Sequence, residues 1–263
     1  MIKGKTKKTD RVFFKNLVVR QIRQDYLENL TGFAWLIIQP LILLAVYTFV
    51  FSTIFKARIP EANEIGFVPY LAVAFWPWIA FSEAILRANN SITENSALIG
   101  KVAFATEQLP LATVTATFIM HMFGYLAVLL VLQFLGTGIH WLYLSLVIPV
   151  LILMWAFACA IALFSSATQV FVRDIAQILP PLMTFWFFTT PILYSPSYLP
   201  EAIQGLAKWN PMAWFVARLR ELLLFGEVSI GLNVLIAAIL IGLLAWLSLR
   251  YFRRFSGHFE DFL

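Results

Sequence analysis

Apolar residues run in blocks of about 20 from Phe33 to Phe252, and polar residues gather at the breaks between them. A helix rises ~1.5 Å per residue, so roughly 20 apolar residues cross the ~30 Å hydrocarbon core of a bilayer. Six spans are predicted. They are Phe33 to Phe55, bent at Gln39-Pro40; Phe67 to Leu86, with Pro69 and Pro77; and Leu109 to Leu135. Then come Trp141 to Ser165; Ile175 to Tyr194, interrupted by Pro180-Pro181 and Pro191; and Leu232 to Tyr251. The two-residue alternation of a β-barrel is absent. The expected class is an all-α polytopic membrane protein. Gly136-Thr137-Gly138 joins the third and fourth spans in a very short turn. Ala156 and Ala160, with Ala158 and Ala162, form small-residue faces on the fourth that allow close helix packing in lipid.

Three polar or mixed segments stand apart. In Asp10 to Leu30, Phe14, Val18, Ile22, Tyr26 and Leu30 recur every four residues, while Arg11, Lys15, Arg23, Gln24 and Glu28 lie largely elsewhere around the helix. Thr9 or Asp10 can cap its start and Gly32 its end. A basic amphipathic helix before a first span is expected to lie in the membrane interface. Arg87 to Gln108 is too polar to span, then turns apolar at Ala97-Leu98-Ile99 and Val102-Ala103-Phe104, which predicts a short helix with one docking face. Ser195 to Gly226 reads as a helical hairpin. Ser197 caps one helix, and Asn210 caps a second that has Pro211 in first position and Gly226 just past its end. The second helix is apolar at Met212, Trp214, Phe215, Leu219, Leu222 and Leu223, yet carries Arg218, Arg220 and Glu221. An arginine at the bilayer centre costs about 3 kcal/mol, which favours a helix dipping partway into the outer interface over a seventh span. Non-helical backbone at such depth needs cover from protein or a watery cavity, so this hairpin is placed beside the exit of a pathway.

Composition sharpens the class. Of 263 residues, 61% are hydrophobic and 13% charged, against about half and a quarter for a soluble domain. The net charge of +5 sits mainly at the two ends, which in so apolar a chain points to an anionic membrane surface and not to nucleic acid. Of the 19 lysines and arginines, only Lys56, Arg58, Lys208, Arg218 and Arg220 fall outside when the N-terminus is placed in the cytoplasm, so both termini are expected there. No cleavable signal peptide is expected. The single cysteine, Cys159, lies in an apolar run and reads as a small core residue.

None of the blocks carries a charge near its middle, whereas a carrier run by an ion gradient keeps ionisable residues at membrane depth. The expectation is a pathway without its own engine. Gly100-Lys101 is followed by Val102 and lacks the earlier glycine of a phosphate-binding loop, so the chain is not expected to bind ATP. No His/Cys spacing supports a metal, and His121, His140 and His258 are isolated. Ser165-Ser166 and Thr189-Thr190 have no base nearby, so no catalytic residue is assigned. The run Phe185-Trp186-Phe187-Phe188, beside Pro191 and Tyr194, is denser than membrane anchoring needs. Aromatic faces stack on the apolar faces of sugar rings, and such a wall suits a sliding glycan.

With these residues in place, the chain resembles the membrane subunit of bacterial ABC exporters for polysaccharides, over nearly its full length. The markers are Leu30-Thr31-Gly32-Phe33-Ala34-Trp35 leading to Pro40, then Asn95-Ser96-Ala97-Leu98-Ile99 through Phe104 to Leu109-Pro110-Leu111. Phe171-Val172-Arg173-Asp174, Thr190-Pro191-Ile192-Leu193-Tyr194 and Asn210-Pro211 followed by Arg218 complete them. The sequence departs from the family at Ala105-Thr106-Glu107 and at Arg23-Gln24-Asp25-Tyr26, where the family often carries more arginine.

The resemblance implies a homodimer of six-span subunits in the bacterial inner membrane, on two ATP-binding cassette subunits that hold ATP and magnesium. It implies a cytoplasmic tail and interface helix over residues 1–32, and a transmembrane domain over 33–263. Within that domain it places a coupling segment near 88–108 and an outer gate hairpin near 195–228. A coupling helix from Glu94 to Phe104 would present Glu94, Asn95, Leu98, Ile99, Lys101 and Phe104 to the ATPase. The first and fifth spans would line a channel, with Phe185, Trp186, Phe187, Tyr194, Trp209, Trp214 and Arg218 as channel or gate candidates. The substrate implied is a lipid-linked polysaccharide, with O-antigen ahead of capsular polysaccharide or teichoic acid. A gradient-driven lipid-sugar flippase and an integral membrane transferase are the alternatives from other classes. The flippase predicts buried titratable residues, which the sequence does not show, and the transferase predicts acidic residues clustered in one loop.

Overall fold

The computed structural model describes residues 7–24, 32–54, 65–99, 101, 104–198, 200, 205, 209–228 and 231–263. Among these residues there are eight α-helices and no strand. They are α1 (Lys7–Ile22), α2 (Gly32–Thr48), α3 (Phe67–Glu94), α4 (Gln108–Phe134), α5 (Leu144–Phe171), α6 (Ile175–Thr189), α7 (Pro211–Arg220) and α8 (Leu232–Phe255). A π-helical turn, Phe49–Ile54, extends α2, a second, Glu221–Phe225, extends α7, and a 3-10 turn, Ser256–Asp261, follows α8.

Among the described residues five stretches are long and apolar enough to cross a membrane: Ile37–Ile54, Phe67–Glu94, Gln108–Phe134, Trp141–Phe171 and Leu232–Asp261. The apolar α6 has 15 residues, about 22 Å at the helical rise, and falls short of the ~30 Å core. The expected break at Pro180-Pro181 does not occur, for both prolines lie inside a continuous α6. Each removes one donor from the helix ladder, and the helix runs on through Met183 and Phe187, which are buried in the core. It ends at Thr190, whose hydroxyl donates to the Trp186 carbonyl at 2.7 Å.

The second span reaches further than expected. Its polar tail, Arg87 to Glu94, is helix and not loop. Hydroxyls bond back along it, Ser91 Oγ to the Ala88 carbonyl at 2.7 Å and Thr93 Oγ1 to Asn90 at 2.9 Å, so polar side chains ride in the helix without opening it. Asn95 ends it and donates to the Ser91 carbonyl at 2.8 Å.

α3 is the central element, packed on α4, α5 and α6. Trp76 lies flat against Gly124 of α4 and donates its indole N–H to the His121 carbonyl at 3.0 Å. Ala158, Ala160 and Ala162 of α5 are fully buried, as their small-residue spacing predicted, and Cys159 packs beside them. By contrast α2 and α8 leave most of their apolar surface uncovered.

α1 starts at Lys7, three residues before the expected Asp10, and residues 25–30 of the expected range lie outside the described residues. Leu17 and Val18 bury its inner face against Leu109, Ala112 and Ala116 of α4, while Val12 and Val19 stay exposed. Tyr26 and Leu30 lie outside the described residues. The bundle thus has two ends. Among the described residues, the terminal end gathers α1, residues 95–99 and 104–107, the α5–α6 turn and the C-terminal turn, while the hairpin end gathers residues 135–143, 190–198 and 209–228.

Candidate functional site

Between α2, α3 and α6 lies a groove of about 630 Å³. Its aromatic wall is Trp35, Tyr47, Phe75, Trp78, Phe187 and Phe188, and its polar lining is Gln39, Ser82, Glu83, Arg87 and Thr184. The rings brace one another. Tyr47 stacks on Phe187 at 5.6 Å between centroids, and Trp78 meets Phe187 at 5.8 Å and Trp186 at 5.9 Å. Paired rings hold each other's orientation, which gives a ligand a preformed surface.

The expected aromatic wall is therefore split by the helical turn of α6. Phe187 faces the groove and is buried, whereas Phe185 faces outward at 66% exposure. Trp186 is not on the groove. It packs among Trp78, Phe81 and Phe157 and donates its indole N–H to Asn210 Oδ1 at 2.9 Å. Tyr194 is half-buried, with its hydroxyl donating to the Phe188 carbonyl at 3.1 Å. Trp209 is exposed, and Trp214 stands edge-on to Phe215 on the hairpin.

The polar lining corrects the expectation that no block carries a charge near its middle. Glu83 lies well inside α3, with one carboxylate oxygen 2.7 Å from Arg87 Nε and the other 2.9 Å from His121 Nε2 of α4. His121 is fully buried, while Glu83 and Arg87 are 30% and 36% exposed. His121 Nδ1 has no hydrogen-bond partner among the described residues. With a proton on Nε2 the ring donates to the Glu83 carboxylate. Thirty-eight residues separate Glu83 from His121, so only the α3–α4 packing reveals the pair.

At the hairpin end, Asn210 caps α7, accepting from the Met212 amide at 3.0 Å, with Pro211 in first position. Gly226 closes the helix in the left-handed region at φ 64°, both as expected. The first hairpin helix falls largely outside the described residues. Before it stands a 3-10 turn, Pro196–Tyr198, whose Ser197 amide donates to Ser195 Oγ at 3.2 Å; the helix start that Ser197 is expected to cap lies outside the described residues. The two hairpin arginines have different fates. Arg218 pairs with Glu221 at 2.7 Å. Arg220 is buried and donates to the carbonyls of Tyr70, Pro191 and Ile192 at 3.1, 2.8 and 2.7 Å. It ties the chain just past α6 to the start of α3, and sequence reasoning gave it no such role.

At the terminal end, no α-helix occupies Glu94 to Phe104 among the described residues. Glu94 ends α3, and only the 3-10 turn Ser96–Leu98 follows before Ile99 turns extended. The segment is nevertheless braced. Asn95 accepts from Arg20 at 2.6 Å, Phe104 meets Phe13 at 5.2 Å, and Glu107 pairs with Arg253 at 2.8 Å. Leu98 and Ile99 are half-buried, and Glu94 and Lys101 are exposed.

The described helices thus form a multi-pass apolar bundle with an aromatic-walled groove on one side. The chain belongs to the ABC-2 type transporter family, whose profile matches residues 13–224. It is 27% identical over 199 residues to an O-antigen export system permease protein, RfbA, of Myxococcus xanthus, covering 75% of this chain and 74% of that one. It is 24% identical over 213 residues to an RfbA of Klebsiella pneumoniae, covering 80% and 79%. With the polysialic acid transport protein KpsM of Escherichia coli it shares 24% over 227 residues, covering 85% and 86%.

Proposed function

We propose that the chain is the membrane subunit of an ATP-driven exporter that moves a lipid-linked polysaccharide across the bacterial inner membrane. O-antigen is the first choice of substrate, with capsular polysaccharide or teichoic acid as the alternative. The observation that carries this is the aromatic-walled groove on a chain of this family. Rings fixed by one another offer a sugar faces to slide along without a deep polar well to hold it.

In the working assembly two copies pair, six spans cross in each, and both termini are cytoplasmic. The crossing beyond the five long stretches is Ile175 to Tyr194, built on α6, and 195–228 forms the outer gate. Two ATP-binding cassette subunits, which bind the ATP and magnesium, dock beneath residues 95–107. The bracing of that loop supports the role. A push at Leu98 would pass through Asn95 into α3, through Phe104 into α1 and through Glu107 into α8.

Replacing Leu98 with Asp tests this. Leu98 is half-buried outside the two main apolar clusters, so the variant should insert and fold while glycan export stops. Unchanged export would remove the assignment. The Glu83–His121 pair favours one second reading, a gradient-driven flippase, because ionisable groups inside an apolar helix suit ion coupling. Purified alone in liposomes, the chain should translocate nothing under a proton or sodium gradient; pumping there would favour the flippase.

A further inference from the structure

We infer that the groove takes an uncharged glycan, and that Glu83 is the residue that sets this preference; the inference rests on the export reading above. The aromatic wall can stack on the C–H faces of neutral and acidic sugars alike. Discrimination therefore falls to the polar lining. Of its five residues two are charged, and they are paired with each other at 2.7 Å. His121 lies behind Glu83, off the groove, with its Nε2 2.9 Å from the carboxylate.

A polyanionic chain entering here would lose hydration from its carboxylates. It would meet the Glu83 carboxylate, whose charge offsets that of Arg87, the one cation lining the groove among the described residues. Burying an unpaired charge beside a like charge is strongly unfavourable. A neutral sugar meets the opposite situation. Each Glu83 oxygen carries a hydrogen bond and can accept another from a sugar hydroxyl. Gln39 brings a neutral amide, and the Ser82 and Thr184 hydroxyls, which donate to Ile79 and Pro180, still have lone pairs to offer. His121 and Arg87 fix the carboxylate from two sides, so Glu83 presents its oxygens without reorganising.

The test is saturation-transfer NMR on the full chain in nanodiscs. The probes are neutral tetrasaccharides of mannose, galactose and glucose, set against tetrasialic acid of the same length. At least one neutral probe should bind roughly tenfold or more tighter than tetrasialic acid, the scale of a single hydrogen bond to a charged group. Glu83→Gln keeps the shape and an acceptor for His121, and should narrow that ratio to within about threefold. Glu83→Lys should reverse it. Size-exclusion and helical circular dichroism check that both variants fold.

Tetrasialic acid binding the unaltered protein as tightly as every neutral probe overturns the inference. So does a ratio unmoved in both variants. If no probe binds the unaltered protein while a deletion strain loses its surface glycan, the inference fails and the export reading stands. If a neutral probe binds as expected but deletion leaves the glycan exported, the export reading fails instead.

Discussion

The guanidinium of Arg220 lies 3.5 Å over the ring of Tyr70 and, from that position, reaches three backbone carbonyls on two separate stretches of chain. The carbonyls of Pro191 and Ile192 lie where α6 has ended, and they have lost helical donors. A planar fork of donors can serve several such oxygens at once, which an ammonium on a flexible stem cannot. Arg220→Ala should therefore cost at least about 3 kcal/mol, since a buried acceptor left unpaired costs ~1–3 kcal/mol. Arg220→Lys should recover only part of that loss. Thermal unfolding in a single detergent checks both, and a melting temperature unchanged in the alanine variant would remove the clamp.

Asn210 gives a second measurable junction. Its Oδ1 accepts from the Met212 amide and from Trp186 Nε1, while its Nδ2 donates to Thr190 Oγ1 at 3.0 Å and to the Thr189 carbonyl at 3.3 Å. One side chain thus caps α7 and pins it to α6. Asn210→Ala should destabilise by about 2–4 kcal/mol, a lost cap plus an unpaired indole donor. Asn210→Asp keeps the cap but sets a carboxylate oxygen against the Thr189 carbonyl. It should fall between the two in melting temperature, with Trp186 fluorescence close to that of the unaltered protein.

These two junctions show what the chain discloses locally and what it withholds. Asn210-Pro211 and Gly226 mark both ends of α7 because a cap needs a side-chain oxygen and a left-handed terminus needs no Cβ, and either is readable within ten or fifteen residues. The α4 boundaries are legible to within a residue for the same kind of reason, a long apolar block with polar flanks. Arg220 is legible only as an arginine in an apolar helix. Its partners lie 28 to 150 residues away, and nothing local distinguishes it from Arg218. Glu83 is hidden differently. The run after Arg87 reads as a polar loop, which puts Glu83 at the end of a span instead of inside a helix that continues to Glu94. The facing of Phe185, Trp186 and Phe187 is open too, since a run of four aromatics has no polar position to orient it.

Gly124 is predicted to tolerate no side chain. A Cβ there would sit 2.5 Å from Trp76 Cζ2 and 3.1 Å from Cε2, and the indole is pinned by its bond to the His121 carbonyl. Gly124→Ala should already cost about 1–3 kcal/mol through forced movement of Trp76, as overpacked cores do. The signature that separates this from a simple propensity effect is a red-shifted tryptophan emission as the ring is driven out. Alanine raises helix propensity, so a gain in stability would show that the crowding relaxes freely.

The pair between Glu107 and Arg253 should matter for motion more than for stability. Arg253 is 62% exposed and Glu107 12% exposed, and a pair with one solvated partner is worth at most about 1 kcal/mol. Arg253→Gln should therefore leave the melting temperature within a few degrees of the unaltered protein. The pair nonetheless joins the far end of the 95–107 loop to the last turn of α8, across 146 residues of sequence. Replacing both residues with cysteine gives a direct probe, because the only native cysteine, Cys159, is buried in the core and slow to react. An arginine–glutamate pair stands further apart at Cα than a disulfide spans, so the doubly substituted protein should cross-link with a reducible bifunctional thiol reagent and release on reduction. If that loop transmits force during transport, the cross-linked form should lose export and the reduced form regain it. Full export with the cross-link closed would mean that the 95–107 loop and α8 move as one body.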